Sequence, residues 1–146
     1  MEAVKTIIVP VDLEEHTEKI VEYSAYMAEK LSAEFTIVHV VEPFRAIGDL
    51  ELGTATVKEY NQTRLKHSED FLKKLVQEYP SCKNTVVISG EIVEEILDYA
   101  KKHEASLIII GTHGTKGIEK LLLGSVAERV LKRAHCPTLI MNPFEH

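Results

Sequence analysis

One stretch constrains this chain more than any other: Ser106-Leu-Ile-Ile-Ile-Gly111-Thr112-His113-Gly114, then nine residues, then Gly124-Ser125-Val126-Ala127-Glu128. Three consecutive isoleucines in an apolar run read as a strand buried on both faces, and the run stops at a glycine. Four of the seven glycines lie between Gly111 and Gly124, joining that strand to a helical pattern that starts near Ser125. Glycine lets the main chain take positive φ and present N–H groups at close range, and a helix start adds unsatisfied donors and the positive end of its dipole. These are the ingredients of a phosphate cradle. The plainer reading is that a long connection needs glycines for its turns, with Ser125 and Glu128 forming an S-x-x-E capping box. The two readings are compatible, because capping uses the Ser125 side chain and leaves other backbone donors open. Neither a G-x-x-x-x-G-K-[ST] loop nor a G-x-G-x-x-G turn after a strand occurs.

The length of 146 residues suits one domain, and 45% hydrophobic with 27% charged residues is ordinary for a globular chain. Net charge is 17 minus 23, or −6, which argues against nucleic acid as the main partner. The start, Met-Glu-Ala-Val-Lys-Thr, has no apolar leader pattern, and no apolar run approaches the roughly 18 residues a membrane span needs. A cytoplasmic location without membrane contact is therefore expected. Cys82 and Cys136 form no C-x-x-C pair, which fits a reducing compartment.

Along the chain, Lys5 to Val11 is a β-branched run ending at Asp12, and residues 17–31 place Ile20, Val21, Ser24, Met27, Ala28 and Leu31 at helical spacing. Phe35 to Val41 is a second strand. Periodicity vanishes over 44–54, a loop long enough to serve as a lid. Val57 to Tyr79 reads as a charged helix with Val57, Leu65, Phe71, Leu72, Leu75 and Val76 inward. Thr85 to Ser89 is strand three, Ile92 to Ala100 a helix, Leu107 to Ile110 strand four. The last helix carries Val126, Ala127, Val130 and Leu131, and Thr138 to Met141 is strand five. Regular alternation predicts an α/β three-layer sandwich around a parallel five-stranded sheet. Ligands of such sheets sit beyond the carboxyl ends of the strands, where the winding reverses. Asp12 and Gly111 share one crevice if strands one and four flank that point.

These residues resemble the universal stress protein (UspA-like) family, whose ATP-binding motif has the Gly111-x-x-Gly114, nine residues, Gly124-Ser125 spacing. Val9-Pro10-Val11-Asp12, His39-Val40, Gly124-Ser125-Val126-Ala127 and Cys136-Pro137-Thr138-Leu139-Ile140 also stand in family order, so the likeness covers essentially the whole chain. The resemblance implies an adenine nucleotide α-hydrolase-like fold with strand order 3-2-1-4-5, a homodimer, and ATP between strands one and four. It places Val11 and Val40 near the adenine, Asp12 on the ribose hydroxyls and Pro10 among the nucleotide-binding residues. Gly111, Thr112, His113 and Gly114 would turn over the triphosphate. Gly124, Ser125 and Val126 would hold phosphate oxygens, with Mg²⁺ or Mn²⁺ bridging those oxygens rather than bound by protein side chains. One departure is Ser106, where the family often has an acidic residue.

Pattern alone reads Asp12 with Glu15 as a D-x-x-E helix start. The resemblance assigns Asp12 to the ribose instead. His113 lies near the phosphates or fills a polar turn, and no acid–base role is assigned to it. Lys116 and Lys120 offer charge to the triphosphate or are plain surface. The remaining histidines have no zinc spacing, and Ser125 lacks a G-x-S-x-G context. The triplet Leu121-Leu122-Leu123 reads as packing. Strand five, ending Met141-Asn142-Pro143, is an expected edge that pairs with a second copy. Two functions follow: a nucleotide-dependent stress-response or signalling regulator acting through dimer or partner contacts, with no catalytic residue, or a slow ATPase or phosphotransfer enzyme. A third, a relative whose loop serves only as a partner surface, is distinguished by its failure to bind any nucleotide.

Overall fold

The computed structural model of the chain describes residues 2–45, 54–112 and 123–143. Apolar β-branched runs form strands because branched side chains pack on a pleated surface, and the stretches of 3.6-residue period form helices. In order these are β1 (Thr6–Pro10), α1 (Thr17–Leu31), β2 (Glu34–Val41), α2 (Thr54–Leu75) continued by a 3-10 turn (Val76–Glu78), β3 (Cys82–Ser89), α3 (Ile92–Lys102), β4 (Leu107–Gly111), α4 (Ser125–Arg133) and β5 (Thr138–Met141). The strands pair in parallel in the order β3-β2-β1-β4-β5, the expected α/β sandwich.

Alternation of side chains along each strand divides the core between two faces. On one, Ile7, Val9, Phe35 and Ile37 meet Ile20, Val21 and Ala28 of α1 and Leu72 of α2. On the other, Ile8, Val38, Ile108 and Ile110 meet Val93, Ile96 and Ala100 of α3 and Ala127 and Val130 of α4. The sheet thus lies between two helical layers.

Three local details differ from the sequence reading. Phe71 is 39% exposed and Leu131 46% exposed, although both were expected inward. In α2 the buried positions are Ser68 and Leu72, four apart, and in α4 they are Ala127 and Val130, three apart; one residue of slip turns a side chain about 100° away from that face. β3 begins at Cys82 rather than Thr85, because Lys83 and Asn84 hide the apolar signal while Cys82 and Asn84 still pair with Phe35 and Thr36 of β2, the register shifting past Lys83.

Ser106 has a clear task. Its hydroxyl oxygen accepts from the N–H groups of Lys5 and Thr6 and donates to the Thr6 carbonyl, each at 2.9 Å, tying the entry of β4 to the entry of β1. Ser106→Ala is expected to lower unfolding free energy by about 1–2 kcal/mol, read from the urea midpoint at unchanged slope.

Candidate functional site

The winding reverses at β1. From β1 the chain steps to β2 and β3 on one side, then returns to place β4 and β5 on the other. β1 and β4 pair through Ile7↔Leu107 and Ile8↔Ile108, whereas β4 stays paired with β5 as far as Gly111↔Met141. Beyond Ile8 and Ile108 the two central strands part, and a crevice opens at their carboxyl ends.

On the β1 side the crevice wall is Pro10, Val11 and Asp12. The Val11 N–H donates to the Val38 carbonyl at 3.0 Å, continuing the alignment with β2 past the end of β1. Asp12 Oδ1 accepts from the Glu14 N–H at 2.9 Å and the Thr17 hydroxyl at 3.4 Å, closing an Asx-type turn. Leu13 within that turn takes φ 62°, a left-handed conformation for a branched residue, and its side chain packs on the core. The helix-start reading of Asp12 is corrected: α1 is capped by His16 at Thr17, and Asp12 lies upstream, held by the turn at the crevice edge.

On the β4 side the Thr112 N–H donates to the Met141 carbonyl at 2.8 Å, and the Thr112 carbonyl accepts from the Gly124 N–H at 2.6 Å. The two ends of the glycine-rich connection are thereby brought together, and α4 starts directly over the crevice. Gly124 is the N-cap residue without a side-chain cap bond, so the S-x-x-E capping box does not form; Glu128 instead pairs with Lys132 at 2.7 Å. The first intrahelical bond runs from the Glu128 N–H to the Gly124 carbonyl at 2.9 Å. The N–H groups of Ser125, Val126 and Ala127 therefore have no intrahelical acceptor. With Gly124's own N–H taken up by Thr112, those three form the donor set at the helix start.

Together these elements enclose a cavity of about 660 Å³, within the usual size of a small-molecule site. Every expected site residue inside the described chain lines it: Pro10, Val11, Asp12, Val40, Gly111, Thr112, Gly124, Ser125 and Val126. His113 and Gly114 lie outside the described residues, as do Lys116, Lys120, Leu121, Leu122 and most of the expected lid at 44–54. Phe44, at the start of that lid, is tied to α2 because its N–H donates to Asn61 Oδ1 at 2.8 Å and its carbonyl accepts from Asn61 Nδ2 at 3.1 Å.

The cavity has two characters. Val38, Val40, Ile92, Ile96, Ile110 and Ala127 line it as an apolar slot, and Asp12, Thr112 and Ser125 with the α4 donors supply polar lining. Sequence reasoning missed four ionisable lining residues, Glu14, His39, Glu42 and Arg64. Arg64 of α2 reaches the crevice, donating from Nη1 to the Glu42 carbonyl at 2.8 Å. His39 of β2 holds the Val11 carbonyl at 2.8 Å through Nδ1. Burial pushes the His39 pKa below its ordinary value, with Arg64 adding to the effect and the Val11 hydrogen bond, Asp12 and Glu14 opposing it. The sequence signals for His39 and Arg64 were a polar residue in an apolar strand, within a segment that stands in family order, and a cation on a charged helix.

Among the described residues no group of three or more His, Cys, Asp or Glu is placed to hold a metal ion, and no helix is long and apolar enough to cross a membrane. Burial raises the thiol pKa of both Cys82 and Cys136, which disfavours the reactive thiolate.

The fold matches solved structures along nearly its whole length. A universal stress protein UspA from Lactobacillus plantarum superposes with a TM-score of 0.83 at 23% identity, covering 97% of this chain and 100% of that one. A universal stress protein solved in complex with cAMP matches with a TM-score of 0.62 at 21% identity, covering 97% of this chain and 99% of that one. In sequence, universal stress protein MJ0531 of Methanocaldococcus jannaschii is 36% identical over 142 residues, covering 94% of this chain and 81% of that protein. The profile of the Universal stress protein family matches residues 3–142, and with the sheet order and the glycine-flanked crevice already in place, this chain belongs to that family.

Proposed function

We propose that this chain binds an adenine nucleotide, ATP in the first instance, in the β1/β4 crevice and works as a nucleotide-dependent stress-response or signalling regulator rather than as an enzyme. The observation that carries the reading is the coincidence, in one cavity of about 660 Å³, of an apolar slot, a carboxylate and a helix start with three open N–H donors. The slot fits adenine, Asp12 fits ribose hydroxyls, and the start of α4 fits phosphate oxygens. The relative solved with cAMP supports the nucleotide class. Mg²⁺ or Mn²⁺ would be held by the phosphates and water.

In this reading residues 1–146 act as one cytoplasmic domain, two copies pair through the β5 edge, and an unidentified protein partner reads the occupied state; nucleic acid and membranes are not involved. Retention without turnover is expected, since phosphoryl transfer needs a positioned nucleophile and cationic stabilisation of the transferring group. Arg64 is the only Lys or Arg among the described crevice residues, and it is engaged with the Glu42 carbonyl.

The test is to denature freshly purified protein and identify the released nucleotide by chromatography. About one ATP per chain is the expected result; absence of nucleotide, followed by no binding on titration, would remove the reading, and sustained phosphate release at purified-enzyme rates would replace regulator with enzyme. Asp12→Ala is expected to weaken ATP binding about 10- to 100-fold by calorimetry, the scale of hydrogen bonds to a charged acceptor.

A further inference from the structure

Val11 is pinned to β2 on both sides of its residue. Its N–H donates to the Val38 carbonyl at 3.0 Å, and its carbonyl, part of the peptide that leads into Asp12, lies 2.8 Å from His39 Nδ1. A carbonyl oxygen can only accept, so Nδ1 must carry the proton in both the neutral and the cationic ring. Proton exchange is thereby confined to Nε2, and the bond to Val11 survives it. His39 sits in the wall between the main crevice and an adjoining groove of about 370 Å³ beneath α2, and lines both. The ionisable groups facing it are Asp12 and Glu14 from the β1–α1 turn, Arg64 and His67 from α2, and Glu42 after β2, with Tyr60 at the groove rim.

We propose that His39 is a positioning residue for the nucleotide, its Nδ1–H fixing the Val11–Asp12 peptide at every pH, and that protonation of its Nε2 places a positive charge in the crevice wall that tightens the hold on an anionic ligand. The proposal rests on the nucleotide reading above. It assigns the two ring nitrogens separate tasks, one geometric and one electrostatic.

The direction of the pH effect follows from the ring's surroundings. Burial holds the free protein's His39 below the ordinary 6.5, which favours the neutral ring. A bound polyanion favours the cation and raises that value. Affinity is therefore flat on the alkaline side, rises as pH falls through the nucleotide-bound pKa, and levels off below the free one.

The experiment is calorimetric titration of ATP into wild type, His39→Asn and His39→Ala at about pH 8, 6 and 5, reading each variant against wild type so that the titration of ATP itself cancels. The Asn amide N–H takes the place of Nδ1–H without adding charge. His39→Asn is expected to bind more tightly than His39→Ala near pH 8 and to lack an acid-side gain on the order of threefold, the scale of one charge in a solvent-accessible cleft. His39→Ala is expected to bind about three- to tenfold more weakly already at pH 8. A wild-type pH profile in His39→Asn overturns the electrostatic task, and wild-type affinity of folded His39→Ala at pH 8 overturns the positioning task. Histidine ¹⁵N NMR on the ligand-free protein should give the Nδ1–H tautomer for ring 39; the Nε2–H tautomer overturns the assignment whatever the variants do. Failure of wild type to bind ATP at any pH removes the nucleotide reading and this coupling together, an outcome distinct from binding whose pH dependence is indifferent to position 39.

Discussion

Gly124→Asp is expected to lower ATP affinity at least about a hundredfold while changing folding stability by less than about 1 kcal/mol. Gly124 caps α4 with φ −59° and ψ 151°, a conformation that any residue adopts, so a side chain there brings no backbone strain. Asp is also a favoured N-cap, because its carboxylate accepts from the second or third N–H of the helix and lies at the positive end of the dipole. In α4 those N–H groups belong to Val126 and Ala127, two of the three donors without an intrahelical acceptor. One substitution thus satisfies the helix, occupies the cradle and puts a negative charge where the phosphates would lie, and like charges brought together in a site cost several kcal/mol. Calorimetry with ATP and a thermal melt separate the two effects. Retained affinity would mean that the phosphates lie elsewhere in the crevice; lost affinity with a lowered melting temperature would mean that the position is structural.

Leu72→Ala is expected to remove about 3 kcal/mol of stability, the middle of the range for deleting a buried leucine. Leu72 is fully buried, whereas Phe71 beside it is 39% exposed. Among the described residues of α2, Leu72 is the only apolar side chain in the buried core; Val57, Leu65 and Leu75 are half-buried. Phe71→Ala, though it removes more atoms, is expected to cost under about 1 kcal/mol. Denaturant midpoints measured side by side decide the matter, and equal losses would contradict the burial assigned to α2. Nucleotide binding should also weaken in Leu72→Ala, because Arg64, two turns earlier on the same helix, would lose its fixed place along the crevice.

Those two positions show how far the sequence could be read. Leu72 was legible as an inward residue because it belongs to an apolar stripe, but nothing local distinguishes it from Phe71; the sheet beneath α2 selects the Ser68–Leu72 face. Gly124 was legible through glycine spacing. Its N–H holds the Thr112 carbonyl, and the donors without an intrahelical acceptor are those of Ser125, Val126 and Ala127. The capping box failed for a related reason: with Gly124 as N-cap, Ser125 is already inside the helix and its hydroxyl is out of register for capping.

By itself the sequence determined the alternation of strands and helices, the parallel character of the sheet, and, through the resemblance it carries, the family and the strand order. Hydrophobic period and glycine placement are local, so they survive in a linear string. Tertiary structure alone decided which residues far apart in the chain meet. The bond from His39 to Val11 spans 28 positions, and those from Ser106 to Lys5 and Thr6 span 101 and 100. Such partners are chosen by the order of strands in the sheet and by how far β1 and β4 stay paired before they part. A histidine in a strand or an arginine on a charged helix acquires its role only when that order brings it to the site, because hydrogen bonds and charges act over a few ångströms and the sequence records no distances.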